Sequence, residues 1–502
     1  MGREIRTRLR RARSSINFQL STFSYSSTIP ALHHGGSMSV SLRLQEIRDG
    51  FERPFWVANT SEIFERLSYY GAFSSLALYL HERLAFSTEL TDSLTGFFGG
   101  MVWFLAIFGG AVADKLGFRR ALSMAYLILA AAYFLIGSIG ASWLAPVRNA
   151  VPLTLFVGCI LVLPALGIAL VKPSVVGTTA RASKENVRTL GYSIYYTMVN
   201  IGGTAGPFVA DWAQRHLGLE RVFRVSALSV FAMFFLVFFF FRDPRKPGDV
   251  PAPSLLQVVR NFCVVLGKYW LVLPTVAIAI VLAVTSFLYH FSVPWWIWVA
   301  LVLLALAGIS KVMWFLVIFT GYWIVYWQQY TSLPGYLHTY VDVHARVQLI
   351  LITDAAIVVC LTFAVNYLAR KIPAFHAVIL GTVITSMSWL VLSFWPTVTG
   401  AVVSIAVLAI GEIIQQPPYY AYISRLAPPG QQGTYMGFAF LPLGIGSLVG
   451  GWFGGTMMHH FGEVAHHPER AWWAISSVGF ATALLLLIYD RIVKPTAQEP
   501  AK

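Results

Sequence analysis

Apolar positions in this chain come in long runs rather than in alternation. A membrane-spanning helix needs about 20 mostly apolar residues. Runs of that kind lie near 55–80, 93–113, 119–140, 151–172, 190–212 and 222–241. A second series lies near 271–290, 295–310, 312–333, 347–368, 374–395, 399–423, 434–456 and 471–489. Fourteen spans are therefore predicted. The run 295–310 is short, and only Lys311 separates it from the next. A twelve-span arrangement, with 271–310 as a packed or re-entrant insert, is the alternative. The pattern predicts an all-α polytopic membrane protein. The Pro- and charge-rich stretch 243–254 divides the chain into two similar halves, as in a transporter built from repeats. The divisions are a basic tail at 1–50, a six-helix bundle at 51–242, and a linker with an extra hairpin at 243–311. A second bundle at 312–490 and a tail at 491–502 follow.

Composition agrees with the runs. Hydrophobic residues make up 57% of the 502, charged residues 12%, and mean hydropathy is +0.66. Soluble chains carry about 25% charged residues, so a soluble surface is excluded. Disorder is excluded as well, because it needs low hydrophobicity. The net charge of +14 would point to nucleic acid only if it formed a soluble patch. It follows topology instead. With the N-terminus inside, 27 of the 36 basic residues fall in inside segments and six in outside loops, and Arg66, Lys172 and Arg224 lie at or within spans. Basic residues favour the cytoplasmic side of short loops, so both termini are predicted cytoplasmic. The first 37 residues hold six Arg, one Glu and many Ser before Met38. They read as a disordered tail, as a start placed ahead of Met38, or as an organellar transit peptide.

Ionisable residues inside apolar runs are costly and face a cavity or a partner. The list here is Glu62, Glu65, Arg66, Lys172, Asp354 and Glu412. At 100° per residue, Glu62, Glu65, Arg66, Tyr69 and Tyr70 fall within an arc of about 140° on one helix. Two carboxylates sharing one guanidinium cannot both be fully neutralised, which is the physical requirement for a proton site; the plainer reading is a packing cluster. Lys172 precedes Pro173, and is either a snorkelling interfacial lysine or, if the helix continues past the proline, a cavity cation. Glu412 sits mid-span before Pro417 and Pro418, which should kink or break the helix. Asp354 is either a helix-entry cap with Thr353 or a buried acid. Gly110, Asp114, Gly117, Arg119 and Arg120 form a short polar loop whose role would be conformational.

Other features carry less. Cys159, Cys263 and Cys360 read as small apolar fillers. His459, His460, His466 and His467 lie in an outside loop and read as an ordinary polar loop rather than a metal site. Gly444, Gly446, Gly450, Gly451, Gly454 and Gly455 stud one span, a spacing that allows close helix approach. No phosphate loop or hydrolase elbow is present, so no cofactor and no enzymatic activity are predicted.

These residues resemble a known family. Gly110-xxx-Asp114-xx-Gly117-x-Arg119-Arg120 is similar to the cytoplasmic loop motif of the major facilitator superfamily. Glu62-xx-Glu65-Arg66-xx-Tyr69-Tyr70-Gly71 resembles the first-helix signature of its proton-dependent oligopeptide transporters, with Leu67 in place of a Phe. Lys172-Pro173, the Tyr195-Tyr196-xxx-Asn200-Ile201-Gly202 run and Gly411-Glu412 with Pro417 resemble further motifs of that family. The extra hairpin is typical of its bacterial members. The resemblance covers roughly residues 45–490.

What the resemblance implies is a proton-coupled symporter of di- or tripeptides, working by alternating access in the plasma (inner) membrane. Glu62, Glu65, Arg66 and Glu412 would couple protons. Lys172 would hold a peptide carboxylate and Glu412 its amino group, with Arg66, Tyr70, Asn200, Trp327, Gln328 and Asp354 also at the substrate. There is one departure. Trp327 stands where the family usually has a carboxylate before a Gln, which leaves room for a related carrier of another small solute, such as an anion or amino-acid derivative, or for a non-transporting receptor. The expected partners are the solute, protons and the lipid bilayer, with no nucleic acid, and the protein is expected to be a monomer.

Overall fold

In the computed structural model, residues 50–244, 255–289, 292–369, 371–426 and 437–493 are described. The first half holds α1 (Arg53–Leu78), α2 (Thr88–Leu116), α3 (Phe118–Ile136), α4 (Leu153–Arg181), α5 (Arg188–Leu217) and α6 (Leu219–Phe240). Then come α7 (Leu255–Leu266) and a hairpin of α8 (Tyr269–Tyr289) and α9 (Trp295–Gly308). The second half holds α10 (Lys311–Tyr326), α11 (Val347–Ala369), α12 (Ala374–Phe394), α13 (Val398–Leu426), α14 (Leu441–Met458) and α15 (Glu469–Val493). Each of the fourteen apolar runs contains a helix. Seven helices are long and apolar enough to cross a membrane by length and composition. The tail before residue 50, the linker 245–254 and the tail after 493 lie outside the described residues.

Local sequence explains the boundaries. Ser87 caps α2, its hydroxyl accepting from the Leu90 amide, and Ser310 caps α10 in the same way. Gly117 ends α2 and starts α3 at φ 92°, a left-handed conformation that a residue without Cβ adopts freely. The proline-bearing helices α4 and α13 both run on past their prolines. α4 runs on through Pro164 and Pro173 to Arg181, so Lys172 is an interior helix position. α13 runs through Pro417 and Pro418 to Leu426 and is not broken there. The missing N–H groups leave carbonyls unpaired on one face, which packing within the bundle tolerates.

In the first half α1 packs on α5 and α6, α2 on α4, and α3 on α4 and α6. In the second, α12 packs on α13 and α15, α10 on α15, and α11 on α13. The halves meet along two seams, α2 against α14 and α5 against α11. We call the end bearing Arg53 and Val493 proximal and the opposite end distal. The described hydrogen bonds and ion pairs between the halves lie in the distal part. They are Glu82–His338 (2.7 Å), Asp211–Arg346 (2.6 Å), Asp92–Ser332 (2.6 Å), Thr88–Glu463 (2.5 Å) and Glu89–Thr456 (3.2 Å), with Gln348 to Gln214 and to Ser75 (3.2 Å) and Ser447 to the Gly96 carbonyl (3.0 Å). Large apolar side chains such as Leu228, Phe239, Leu368 and Leu484 are exposed, as on a face covered by lipid tails.

Along α2–α14 backbone runs directly against backbone. A Cβ on Gly96 would lie 2.4 Å from the Ser447 carbonyl oxygen, and one on Gly451 would lie 2.2 Å from that of Asp92. Gly109 is packed as tightly against α4, where a Cβ would lie 1.9 Å from the Ala169 carbonyl oxygen.

Candidate functional site

The first-helix charges sit inside the protein. Glu62 and Glu65 are fully buried and Arg66 nearly so. Arg66 grips Glu65 with two hydrogen bonds, one from Nε and one from Nη2 (2.7 Å). Its Nε is 3.6 Å from Glu62, whose two oxygens have no hydrogen-bond partner among the described residues. The guanidinium also lies over the rings of Tyr69 (4.9 Å) and Tyr70 (6.0 Å). One carboxylate is thus tied and its neighbour is loose, because a single fork-shaped guanidinium satisfies one carboxylate bidentately.

Since α4 continues past Pro173, Lys172 points into the bundle, with Nζ 4.2 Å from the centre of the Trp103 ring on α2. Its charge interacts with those of Arg66, Glu62 and Glu65. Four charges from two helices therefore form one cluster. The Tyr195 hydroxyl of α5 faces Glu62.

A second cluster lies in the other half. Asp354 and Glu412 are within hydrogen-bonding reach of each other. Tyr326 donates to Asp354 (3.2 Å), and Gln329 reaches the same oxygen at 3.4 Å. Gln416 faces Glu412. Neither carboxyl has an ion-pair partner among the described residues. Asp354 is in the second turn of α11, not at its entry, so it is a buried acid rather than a cap. Tyr70 and Tyr196 stand between the clusters, both close enough to interact with Asp354 and Glu412. Asn200 donates to the Tyr196 carbonyl one turn back (2.8 Å) and also meets the Tyr196 hydroxyl.

Two residues of the expected substrate site are buried by packing. Trp327 is buried under Phe73, Trp323 and Tyr330, with its indole N–H donating to the Leu443 carbonyl of α14 (3.0 Å). The Gln328 amide donates to the carbonyls of Ile324 (2.8 Å) and Gly450 (2.9 Å), and its oxygen meets Ser332 (2.8 Å). Gln328 is fully buried in a seam between helices, and Gln329 is the glutamine that reaches the acid pair. The helix narrows to a tight turn at Trp327–Gln329, which rotates these side chains away from regular α spacing.

At the proximal loop, Gly110 packs near Pro173 and Asp114 is half-buried and partnered. Arg119 donates to the Phe238 carbonyl at the end of α6 (2.7 Å), and Arg120 is exposed. At the distal end His459 pairs with Glu463 (2.7 Å) and His467 with Glu469 (3.2 Å).

Sequence reasoning passed over two buried acids. Asp211 lies inside the run 190–212, and its i,i+4 partner Arg215 was a visible signal. Asp92 lies one residue outside the run 93–113, yet is buried.

Two six-helix halves meeting at facing charge clusters define a membrane carrier rather than an enzyme. A model of the major facilitator superfamily matches residues 60–441 and 318–502, and the chain belongs to that superfamily. Its relatives agree with the peptide-transporter resemblance of the first-helix signature. Dipeptide and tripeptide permease A of Edwardsiella piscicida is 24% identical over 87% of this chain and 93% of its own length. The permease A of Erwinia pyrifoliae is 24% identical over 80% and 84%. An auto-inhibited POT family peptide transporter superposes with a TM-score of 0.69 at 18% identity, covering 90% of this chain and 99% of its own. A POT family transporter in complex with 5-aminolevulinic acid superposes with a TM-score of 0.65 at 16% identity, covering 88% and 97%.

Proposed function

We propose that this protein is a proton-coupled symporter of di- or tripeptides or peptide-like solutes, working by alternating access as a monomer in the plasma (inner) membrane. Fourteen spans with both termini cytoplasmic make the proximal end the inside. The observation that carries this reading is the pairing of unlike clusters across the midline. Two cations, Arg66 and Lys172, stand in one half beside Glu62 and Glu65, and two acids with no cation among the described residues, Asp354 and Glu412, stand in the other. A short peptide has a carboxylate at one end and an ammonium at the other, so it matches this polarity. Tyr70, Tyr196 and Asn200 would line the path between them. Glu62 suits a proton carrier, because it is the looser carboxylate, faced by Arg66 at 3.6 Å and by the Tyr195 hydroxyl, while Glu65 holds Arg66.

The test is peptide counterflow and pH-gradient-driven uptake in proteoliposomes at two pH values. Uptake that follows the gradient, and loses that response in Glu65→Gln, supports the proposal. An absence of gradient-driven uptake, together with an unchanged Glu65→Gln variant, overturns it. Trp327 favours a second reading, a related carrier for an anion or amino-acid derivative, because no acid stands at that place. A ligand screen by thermal shift separates the two, and binding without flux would point to a receptor.

A further inference from the structure

Asp92 lies on α2, 2% exposed, at the seam with α14 and the short helix Ser332–Tyr336. A proton count at this site points to a protonated Asp92, because Ser332 is the better-placed donor to Gln328. Gln328 Nε2 points at the carbonyls of Ile324 and Gly450, so the amide is oriented and its Oε1 is an acceptor. The Ser332 hydroxyl lies 2.8 Å from that Oε1 and 2.6 Å from Asp92 Oδ2. A serine has one proton. The Thr331 hydroxyl, 3.3 Å from the same Oε1, is also 3.2 Å from the Trp327 carbonyl. If Ser332 serves Gln328, Asp92 must donate to Ser332, and the acid is neutral. A carboxylate here would take the serine proton, leave Gln328 facing a bare hydroxyl oxygen, and keep a charge buried with no cation paired to it among the described residues.

The site is shaped for this network. A Cβ on Gly454 would lie 2.2 Å from Gln328 Oε1 and 2.4 Å from Ser332 Oγ, and one on Gly455 would lie 3.0 Å from Asp92 Cβ. The glycines of α14 thus clear the room that the polar groups fill. The titratable groups around it belong to other contacts. Glu89, one turn outward on α2, accepts from Thr456. Glu463 pairs with His459 and accepts from Thr88 of α2 (2.5 Å), and Tyr336 packs on Trp472. Tyr330 stacks on Phe73 of α1, at 4.7 Å. The distal groups His338–Glu82 and Asp211–Arg346 also join the halves.

We propose that Asp92 is a proton-binding site that latches the distal seam, distinct from the first-helix and Asp354–Glu412 clusters. When the seam parts, water reaches the acid, its O–H bond breaks, and the proton passes to solvent. Reclosure takes one proton back. The proposal rests on the alternating-access reading, but its test needs no solute.

The test uses the full chain with its three native cysteines replaced, spin-labelled at Ala150→Cys and Pro396→Cys, both exposed distal positions. His338→Gln is included in every sample to remove the His338–Glu82 contact, which also depends on pH. The label distance is followed against pH. The parent should open as pH rises. Asp92→Asn, whose amide donates to Ser332 as the neutral acid does, should stay closed throughout. Ser332→Ala removes the acceptor and should lower the opening midpoint by about one pH unit, the equivalent of one hydrogen bond. A parent that does not respond to pH, or an Asp92→Asn variant that opens like the parent, overturns the proposal. Transport by the same samples is scored separately, so the latch and the carrier reading fail independently.

Discussion

Glu62 and Glu65 are one turn apart on α1 and share one arginine, yet the structure gives them unequal shares. Glu65→Gln removes a charge that Arg66 grips with two hydrogen bonds. Each charge-assisted bond contributes about 1.5–3 kcal/mol, and removing one member of a buried ion pair costs about 3–5 kcal/mol. The two estimates agree, so a loss of about 3–5 kcal/mol is expected. Glu62→Gln removes no hydrogen bond seen here. Its attraction to Arg66 at 3.6 Å is about 4–5 kcal/mol at an effective dielectric constant of 20. Burying the carboxylate costs several kcal/mol, so the net change is near zero. The two variants, chemically identical, should therefore differ in stability by about 3 kcal/mol or more. Thermal unfolding of both proteins in one detergent reads the stabilities, and gradient-driven uptake in proteoliposomes reads the function. Glu62→Gln should unfold near the wild-type temperature and lose the response to a pH gradient while keeping counterflow. If it unfolds as early as Glu65→Gln and still follows the gradient, the division between a tied and a loose carboxylate is wrong.

Two further outcomes follow from the packing and from the distal contacts. His338 has Nδ1 2.7 Å from Glu82 and Nε2 2.9 Å from the Ala345 carbonyl, so both nitrogens must donate and the ring is charged. Burial opposes that charge, but the bonds to Glu82 and Ala345 and the charges of Glu82 and Asp342 outweigh it and raise the His338 pKa. A raised histidine stabilises the closed form fully below its ordinary value of about 6.5 and loses that contribution as pH rises through the raised value. Thermal stability should thus fall between mildly acidic and mildly alkaline pH, and a His338→Gln variant should flatten that slope. Gly109→Ala places a Cβ 1.9 Å from the Ala169 carbonyl oxygen. Relieving a backbone overlap of that size costs about 1–3 kcal/mol or more, so size-exclusion profiles should show less folded protein, whereas Gly110→Ala, with 3.7 Å to Pro173 Cβ, should be near neutral.

The helices were legible because most apolar runs are long enough to need no tertiary information, the short run 295–310 excepted. The first-helix cluster was legible for a similar reason, since Glu62, Glu65, Arg66 and Tyr70 meet through helix periodicity alone. Lys172 was undecided until α4 was seen to pass Pro173, because sequence does not say whether a bundle will hold a proline-bearing helix together. Gln328 and Gln329 exchanged places because the tight turn at Trp327–Gln329 breaks the 100° spacing. Asp92 escaped notice because its partner Ser332 lies 240 residues away, and no local pattern links the two. The glycines of α14 announced a close approach but not its partners, which are α2 for Gly444, Gly451 and Gly455 and α10 for Gly446 and Gly450.

That α2–α14 seam has a mechanical consequence. Interlocked side chains resist sliding, because every displacement forces rotamers out of their wells. Along Gly96, Gly451 and Gly455 the contact is backbone against backbone, with few rotamers to unlock. Such a surface behaves as a plain bearing. It holds the halves in register across their axis while leaving rotation along it cheap, so the resistance to motion is concentrated in the few polar contacts at the distal end.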